Sequence, residues 1–386
     1  MREKIAAFVD GSEREAFQLL EQLVLQPSYS RYKPGVDAVG GMIAAGLAGS
    51  GMQLETVREQ ELGDQLVFRS PACRAGQPGI LLLGHMDTVF PLDSNFNWYK
   101  EEAGRVYGPG VIDMKGGLVV AVFALRALAA CGLLDKIPIT LICNSDEEIG
   151  SPASTPLIQS FSAGSLLALV FECGGLTGEV VTGRKGRAGF QVKVTGKAGH
   201  AAFAGPDKAS AILELAHKII AIERLNDRQR KIVVNVGVIG GGLGPNTVAD
   251  SARAEIDTRF LLFADGEETV ARIEEIAGIS TIAGTGAVLE RTSERPPMEQ
   301  TALNRELFQL VCREAEVLGL PCREELRSGV SDANTVALAG IPVIDGMGPT
   351  GDCDHSDLEY MVGESLPART KLAACSLVSA WKYYGN

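Results

Sequence analysis

The sequence predicts an α/β protein built on a mostly parallel sheet, with a smaller βαββαβ domain inserted into it. Three observations predict this. Short apolar runs alternate with helical segments between residues 79 and 172, the pattern of strands buried between helices on both faces. Near residue 183 the pattern changes, and GFQVKVTGK (189–197) alternates apolar and polar as a half-exposed antiparallel strand does. The polar, proline-rich segment ERTSERPPMEQ (290–300) then acts as a hinge, after which the first style resumes. At ~150 residues per domain, 386 residues also suit two domains.

The elements follow in order. Ser12 and Glu15 form an S-x-x-E capping box, so the first helix is expected to start near Ser12, with Phe17, Leu20 and Val24 on one face. A helix over 37–49 and a strand pair over 54–69 come next. GILLLGH (79–85) reads as a strand, GGLVVAVFALRALAACG (116–132) as a buried helix, IPITLICN (137–144) as a strand, 152–162 as a short helix and LLALVFE (166–172) as a strand. In the inserted block, a helix after Pro206 carries Ile212, Leu215, Ile219 and Ile222 on one face. The strands KIVVNVGVIG (231–240) and VADSARAEIDTRF (248–260), a helix at 265–277 and a strand at 286–291 complete it. A helix (302–318) and the strand IPVID (341–345) return to the first domain. The expected boundaries are 1–178 with 290–386 for one domain and 179–289 for the insertion.

Composition narrows the function. Acidic residues number 48 against 36 basic, for a net charge of −12, and such a surface repels phosphate backbones. Aromatic residues are 6% of the chain and make no stacking track. Nucleic acid is therefore excluded as the main partner. The eight cysteines contain no C-x-x-C pair and are expected as reduced, buried thiols. No apolar run approaches ~18 residues, and the N-terminal apolar stretch is too short for a signal peptide. No membrane span is expected, and the chain reads as cytoplasmic.

Several familiar motifs fail. Gly346, Gly348 and Gly351 satisfy G-x-G-x-x-G after a strand, but Pro349 and GDCDHSD follow where a dinucleotide site needs a helix. GxxxxGK[ST], G-x-S-x-G and H-E-x-x-H do not occur.

One constellation survives. The chain has only four histidines, and two stand in acidic surroundings after strands: His85 precedes Asp87, and His355 lies in GDCDHSD. Asp113 lies in YGPGVIDMKGG before a helix, Glu147 and Glu148 follow the strand ending at Asn144, and Glu172 ends LLALVFE. The carboxyl ends of parallel strands converge on one crevice. Alone, each residue reads equally as a turn, a cap or a solvated charge. Together, two imidazoles and several carboxylates suit zinc, or cobalt and manganese.

In GHMDTVFP, YGPGVIDMKGG, NSDEEIGS, FECG, GKAGHAA and DHSD the chain resembles the M20 family of dinuclear zinc peptidases, nearest the glutamate carboxypeptidases of the carboxypeptidase G2 type. The resemblance covers nearly the whole chain. It implies a zinc-exopeptidase-like catalytic domain, a ferredoxin-like dimerisation or lid insertion, and two divalent metal ions. Asp113 is the implied bridging ligand, with His85 and Glu172 completing one metal and Glu148 and His355 the other. Glu147 is the implied general base, and Asp87 the partner of His85. A cis peptide is implied at Asp113–Met114, with Gly116 and Gly117 easing the crowding nearby. Arg259 and Asn246 are implied at the substrate carboxylate, and His200 as oxyanion donor. The expected reaction is amide hydrolysis in a small peptide or N-acyl amino acid with a free carboxylate, by a homodimer. An N-deacylase is the alternative, and a non-catalytic binding protein on the same fold the rival of another class.

Some residues are assigned no function. His217, in ELAHKII, reads as a surface or interface residue, and Arg184 and Lys185, in TGRKGR, as a hinge or solvated cluster. The segment RSGVSDAN (327–334) departs from the family's glycine-rich pattern and is expected to line the substrate pocket. Asp352 and Asp354, flanking Cys353, are either supports for His355 or solvated.

Overall fold

The structure is a computed structural model that describes residues 1–385. It divides into two compact units. Met1–Gly183, Gln300–Leu326 and the chain from Ser331 onward form the first, and Arg184–Glu299 with Arg327–Val330 the second.

The first unit opens with α1 (Arg2–Gly11), α2 (Glu13–Leu25) and α3 (Lys33–Gly46), then β1 (Gln53–Val57), β2 (Gln65–Arg69), β3 (Gly79–His85), β4 (Lys100–Glu102) and β5 (Arg105–Tyr107). It continues through α4 (Lys115–Ala130), β6 (Ile139–Asn144), α5 (Thr155–Ser162), β7 (Ser165–Val170) and β8 (Glu179–Arg184). The second unit holds β9 (Gly186–Thr195), β10 (Gly199–His200), α6 (Ala211–Glu223), β11 (Val233–Gly241), β12 (Thr247–Val248), β13 (Ser251–Phe260), α7 (Phe263–Gly278) and β14 (Gly286–Arg295). The chain returns to the first with α8 (Ala302–Val317), β15 (Arg323–Arg327), α9 (Asp332–Ala337), β16 (Val343–Ile344), β17 (Gly351–Asp352), β18 (Tyr360–Val362) and α10 (Ser365–Tyr384).

The main sheet of the first unit has the order β1-β2-β6-β3-β7-β16. Its four strands β6, β3, β7 and β16 run parallel, and β2 and β1 add an antiparallel edge. Nearly every residue of β3 is buried, so both faces are covered, which explains its unbroken apolar sequence. The helix α4 is apolar round most of its circumference and buried accordingly, with α1, α2 and α10 packed against it. Its N-terminus comes very close to the end of β7: a Cβ on Gly117 would lie 1.8 Å from the Phe171 carbonyl oxygen. Only glycine permits that approach, which draws the residues before α4 towards those after β7.

The second unit is an antiparallel sheet, β11-β13-β9-β14, packed against α6 and α7 around a core of its own. Its main elements follow the order βαββαβ.

Several expectations need correction. The chain is already helical from Arg2, Ser12 is a junction between two helices, and its side chain makes no capping hydrogen bond. Ile212 is exposed, whereas Leu215 and Ile222 are buried. Cys312 and Cys322 form a disulfide rather than two reduced thiols: the turn after α8 reverses the chain and brings their Cα atoms to 5.4 Å. Arg184 is buried, not solvated, and donates to the Gly329 carbonyl at 3.0 Å. The unit boundaries also differ from 179 and 289. β8 pairs with β15 of the first unit, and β14 runs on to Arg295. Among the described residues no helix is long and apolar enough to cross a membrane.

Candidate metal centre

The parallel register aligns three strand ends. His85 closes β3 opposite Asn144 of β6, and Leu83 lies opposite Val170 of β7. One strand end therefore supplies His85, the next leads into Glu147 and Glu148, and the third leads into Glu172. Asp113 comes from the turn before α4, and His355 from the loop between β17 and β18.

Asp113 is the centre of the cluster. Its Oδ1 lies 3.0 Å from His85 Nε2 and its Oδ2 lies 3.2 Å from His355 Nε2. His355 Nε2 is also 3.1 Å from Glu148 Oε2, and His85 Nε2 is 3.7 Å from Glu172 Oε1. The ligand atoms of His85, Asp113 and Glu148 all fall within 4.8 Å of one another, and so do those of Asp113, Asp354 and His355. Asp354 therefore approaches the cluster, while Asp352 accepts the amide of Cys353. The Asp113–Met114 peptide is cis.

Asp87 is buried and ties the cluster together. Its backbone carbonyl lies 3.0 Å from His85 Nδ1, closer than its own carboxylate at 3.4 Å. The carboxylate accepts Ser30 Oγ–H at 2.6 Å and the backbone N–H groups of Glu147 and Glu148 at 3.2 Å each. The carbonyl thus stands at the imidazole, and the side chain positions both glutamates.

The electrostatics follow from burial and neighbours. Burial opposes charge on His85, but its acceptors Asp113 and Asp87 outweigh this and hold the imidazole well above its ordinary value. His355, hydrogen-bonded to Asp113 and Glu148, is raised to about 11. Burial also opposes charge on Asp113, yet the two imidazoles keep its carboxyl well below the usual range. Burial and then the Asp113 charge push Glu148 to about 7. Glu147 is raised well above its ordinary value by burial and then by the charge of Asp332.

Glu359 is not foreseen from the sequence, and Asp332 only as part of the segment RSGVSDAN. Glu359 is fully buried and accepts the N–H groups of Gly110, Ile112 and Asp113 at 3.0, 2.8 and 3.1 Å. It holds the turn that presents Asp113. Asp332, from SDAN, accepts Asn144 Nδ2 at 2.6 Å and the Ser151 hydroxyl. No local pattern marks Glu359, because its partners lie about 250 positions earlier.

The remaining expected residues lie in the second unit. His200 is exposed, its Nδ1 accepts the Ala202 N–H at 3.2 Å, and its ring stands against Phe203. β10 and β12 pair His200 with Thr247, and Ala201 N–H donates to the Asn246 carbonyl at 2.9 Å, so His200 and Asn246 are brought together. Arg259, next to last in β13, pairs with Asp257 at 2.8 Å. No hydrogen bond or ion pair links it to His200 or Asn246 among the described residues. A cavity of about 930 Å³, lined by residues such as Asp10, Phe17 and Glu101, contains none of the site residues.

Residues 81–378 match the pattern of peptidase family M20/M25/M40. The chain is 30% identical to carboxypeptidase G2 of Pseudomonas sp. (strain RS-16), over 92% of this chain and 86% of that one. It is 26% identical to acetylornithine deacetylase of Pasteurella multocida, over 63% of this chain and 67% of that one. Its fold resembles that of an M20 family metallo-carboxypeptidase from Sulfolobus solfataricus, with a TM-score of 0.74 at 16% identity, covering 94% of this chain and 98% of that one. With strand ends that gather imidazoles and carboxylates, and a family pattern running through most of its length, the chain belongs to peptidase family M20/M25/M40, a family of metal-dependent amide hydrolases.

Proposed function

We propose that this chain is a carboxypeptidase-type hydrolase that cleaves an amide bond in a small peptide or N-acyl amino acid bearing a free carboxylate. The observation that carries the reading is Asp113, with one carboxylate oxygen turned to each of two imidazoles from separate parts of the fold. A carboxylate so placed suits two cations sharing one anion. Among the described residues Glu148 Oε1 is buried with no hydrogen-bonding partner, a position that a cation would satisfy. The donors therefore fit a metal pair: Asp113 between the ions, His85 and Glu172 on one, Glu148 and His355 on the other. Imidazole and carboxylate donors favour zinc, with cobalt and manganese as alternatives. Such ions, when bound, polarise a carbonyl and make water acidic enough to attack it.

The chain's own residues do the rest. Glu147 takes the proton of the attacking water and passes it to the leaving amine; its burial raises its proton affinity above that of an ordinary carboxylate. Asp87 keeps Glu147 and Glu148 in register through their amides and fixes the tautomer of His85. Arg259 and Asn246 bind the substrate carboxylate, and His200 donates to the oxyanion. RSGVSDAN lines the pocket. The second unit serves as lid and as the contact of a two-fold homodimer: the edge strand β11 exposes Val233, Val238 and Ile239, and unprotected apolar edges invite pairing. Sedimentation at micromolar concentration tests this, and a monomer would count against it.

The likeness to a deacetylase favours a second reading, N-deacylation. Hydrolysis of matched N-acyl amino acids and dipeptides, with zinc or cobalt added, separates the two. Preference for the dipeptides and folate-like amides with C-terminal glutamate supports the first, preference for short N-acyl groups the second.

A further inference from the structure

The second unit contains a charge arrangement that sheet formation alone would disfavour. Arg259 on β13 lies directly opposite Arg187 on β9, and Arg187 lies directly opposite Arg295 on β14. Three guanidiniums thus occupy one cross-strand row in a chain of net charge −12. Residues so paired share a face, with Cβ atoms about 5 Å apart, and like charges there destabilise the sheet. Asp257 relieves part of this. One of its oxygens accepts Arg187 Nε–H at 2.6 Å and the other accepts Arg259 Nε–H at 2.8 Å. It is the only acidic partner of either arginine among the described residues. Arg187 and Arg259 are each held through Nε, and among the described residues their terminal N–H groups make no hydrogen bond. Two lysines add to the local charge: burial, and then the charges of Lys231 and Arg259, lower the proton affinity of Lys185.

A guanidinium fork binds a carboxylate by two parallel hydrogen bonds. A substrate with one carboxylate occupies one fork and leaves the other unmatched. We propose that Arg187 is a specificity-determining residue that takes a second carboxylate, so that the favoured substrate ends in an acidic residue whose two carboxylates meet Arg259 and Arg187. Asp257 is the positioning residue that sets both forks at the spacing of a short dicarboxylate. This rests on Arg259 binding the terminal carboxylate, as proposed above.

The test compares the full-length, metal-loaded protein with Arg187→Gln on two substrates that share one acyl group and differ only in C-terminal Glu or Gln. The expected result is a fall of at least ~10-fold in kcat/KM on the Glu substrate, mostly through KM, with the Gln substrate little changed. Arg187→Lys should recover part of the preference. Equal losses on both substrates, or none on either, would overturn the assignment. Calorimetric binding of glutarate and butyrate gives an independent readout. If no amide is cleaved, the proposed reaction fails, yet glutarate binding that exceeds butyrate binding and disappears in Arg187→Gln still supports the cradle. Equal binding of the two acids overturns it.

Discussion

The strand ends of the first unit and the arginine row of the second are opposite ways of concentrating charge. The first gathers several carboxylates around one buried imidazole, His85, and one exposed imidazole, His355, and each group's proton state depends on the others: Asp113 is driven down while Glu148 and His355 are driven up. The second leaves Arg187 and Arg259 partly exposed and ties both to a single acid, with Arg295 buried beside them. A substitution in the first redistributes charge through the whole cluster. A substitution in the second is expected to remove one recognition contact of the proposed site and to leave the sheet to stand.

That contrast can be broken or sharpened by experiment. Asp113→Ala should have the largest effect, since both ions depend on it: elemental analysis should find neither, and hydrolysis should fall to background. Glu147→Gln should leave metal content near normal while kcat drops by at least ~10²-fold, the usual scale for losing a general base. Retained activity with lost metal would mean that Glu147 and Glu148 exchange roles. Arg259→Ala should lower kcat/KM by ~2–5 kcal/mol on a carboxylate-bearing substrate, and by much less on the matching amide, which has no charge to pair. Equal losses on the two would remove Arg259 from the carboxylate site. The smallest effect concerns pH. A metal-bound imidazole must be neutral, and His85 and His355 both hold their protons above the ordinary value, so protons compete with the ion throughout the neutral range. Metal affinity, measured against a chelator, should therefore be weaker at pH 6 than at pH 8, with protons released on binding. An affinity independent of pH would contradict the ligand set.

Most of the candidate cluster was legible because parallel strands end together. Once GILLLGH, IPITLICN and LLALVFE were taken as strands, His85, Glu147, Glu148 and Glu172 had to emerge on one side. The order βαββαβ was legible from the change in hydrophobic period. What escaped depends on contacts that no local pattern encodes. Arg259, Arg187 and Arg295 form a row only after three strands take their register. The Cys312–Cys322 pairing depends on a chain reversal after α8. Ile212 obeyed the helical period but fell beyond the edge of the core that buries Leu215.

The carboxylate of Glu359 also sets an order of events during synthesis. A nascent chain ending before residue 350 already contains His85, Asp113, Glu148 and Glu172. It lacks both His355 and the acceptor that gathers the amides of Gly110, Ile112 and Asp113. The turn that presents Asp113 is therefore finished only after Glu359 has been added to the chain. Until then a partial product carries most of the donors but lacks the contacts that gather the turn.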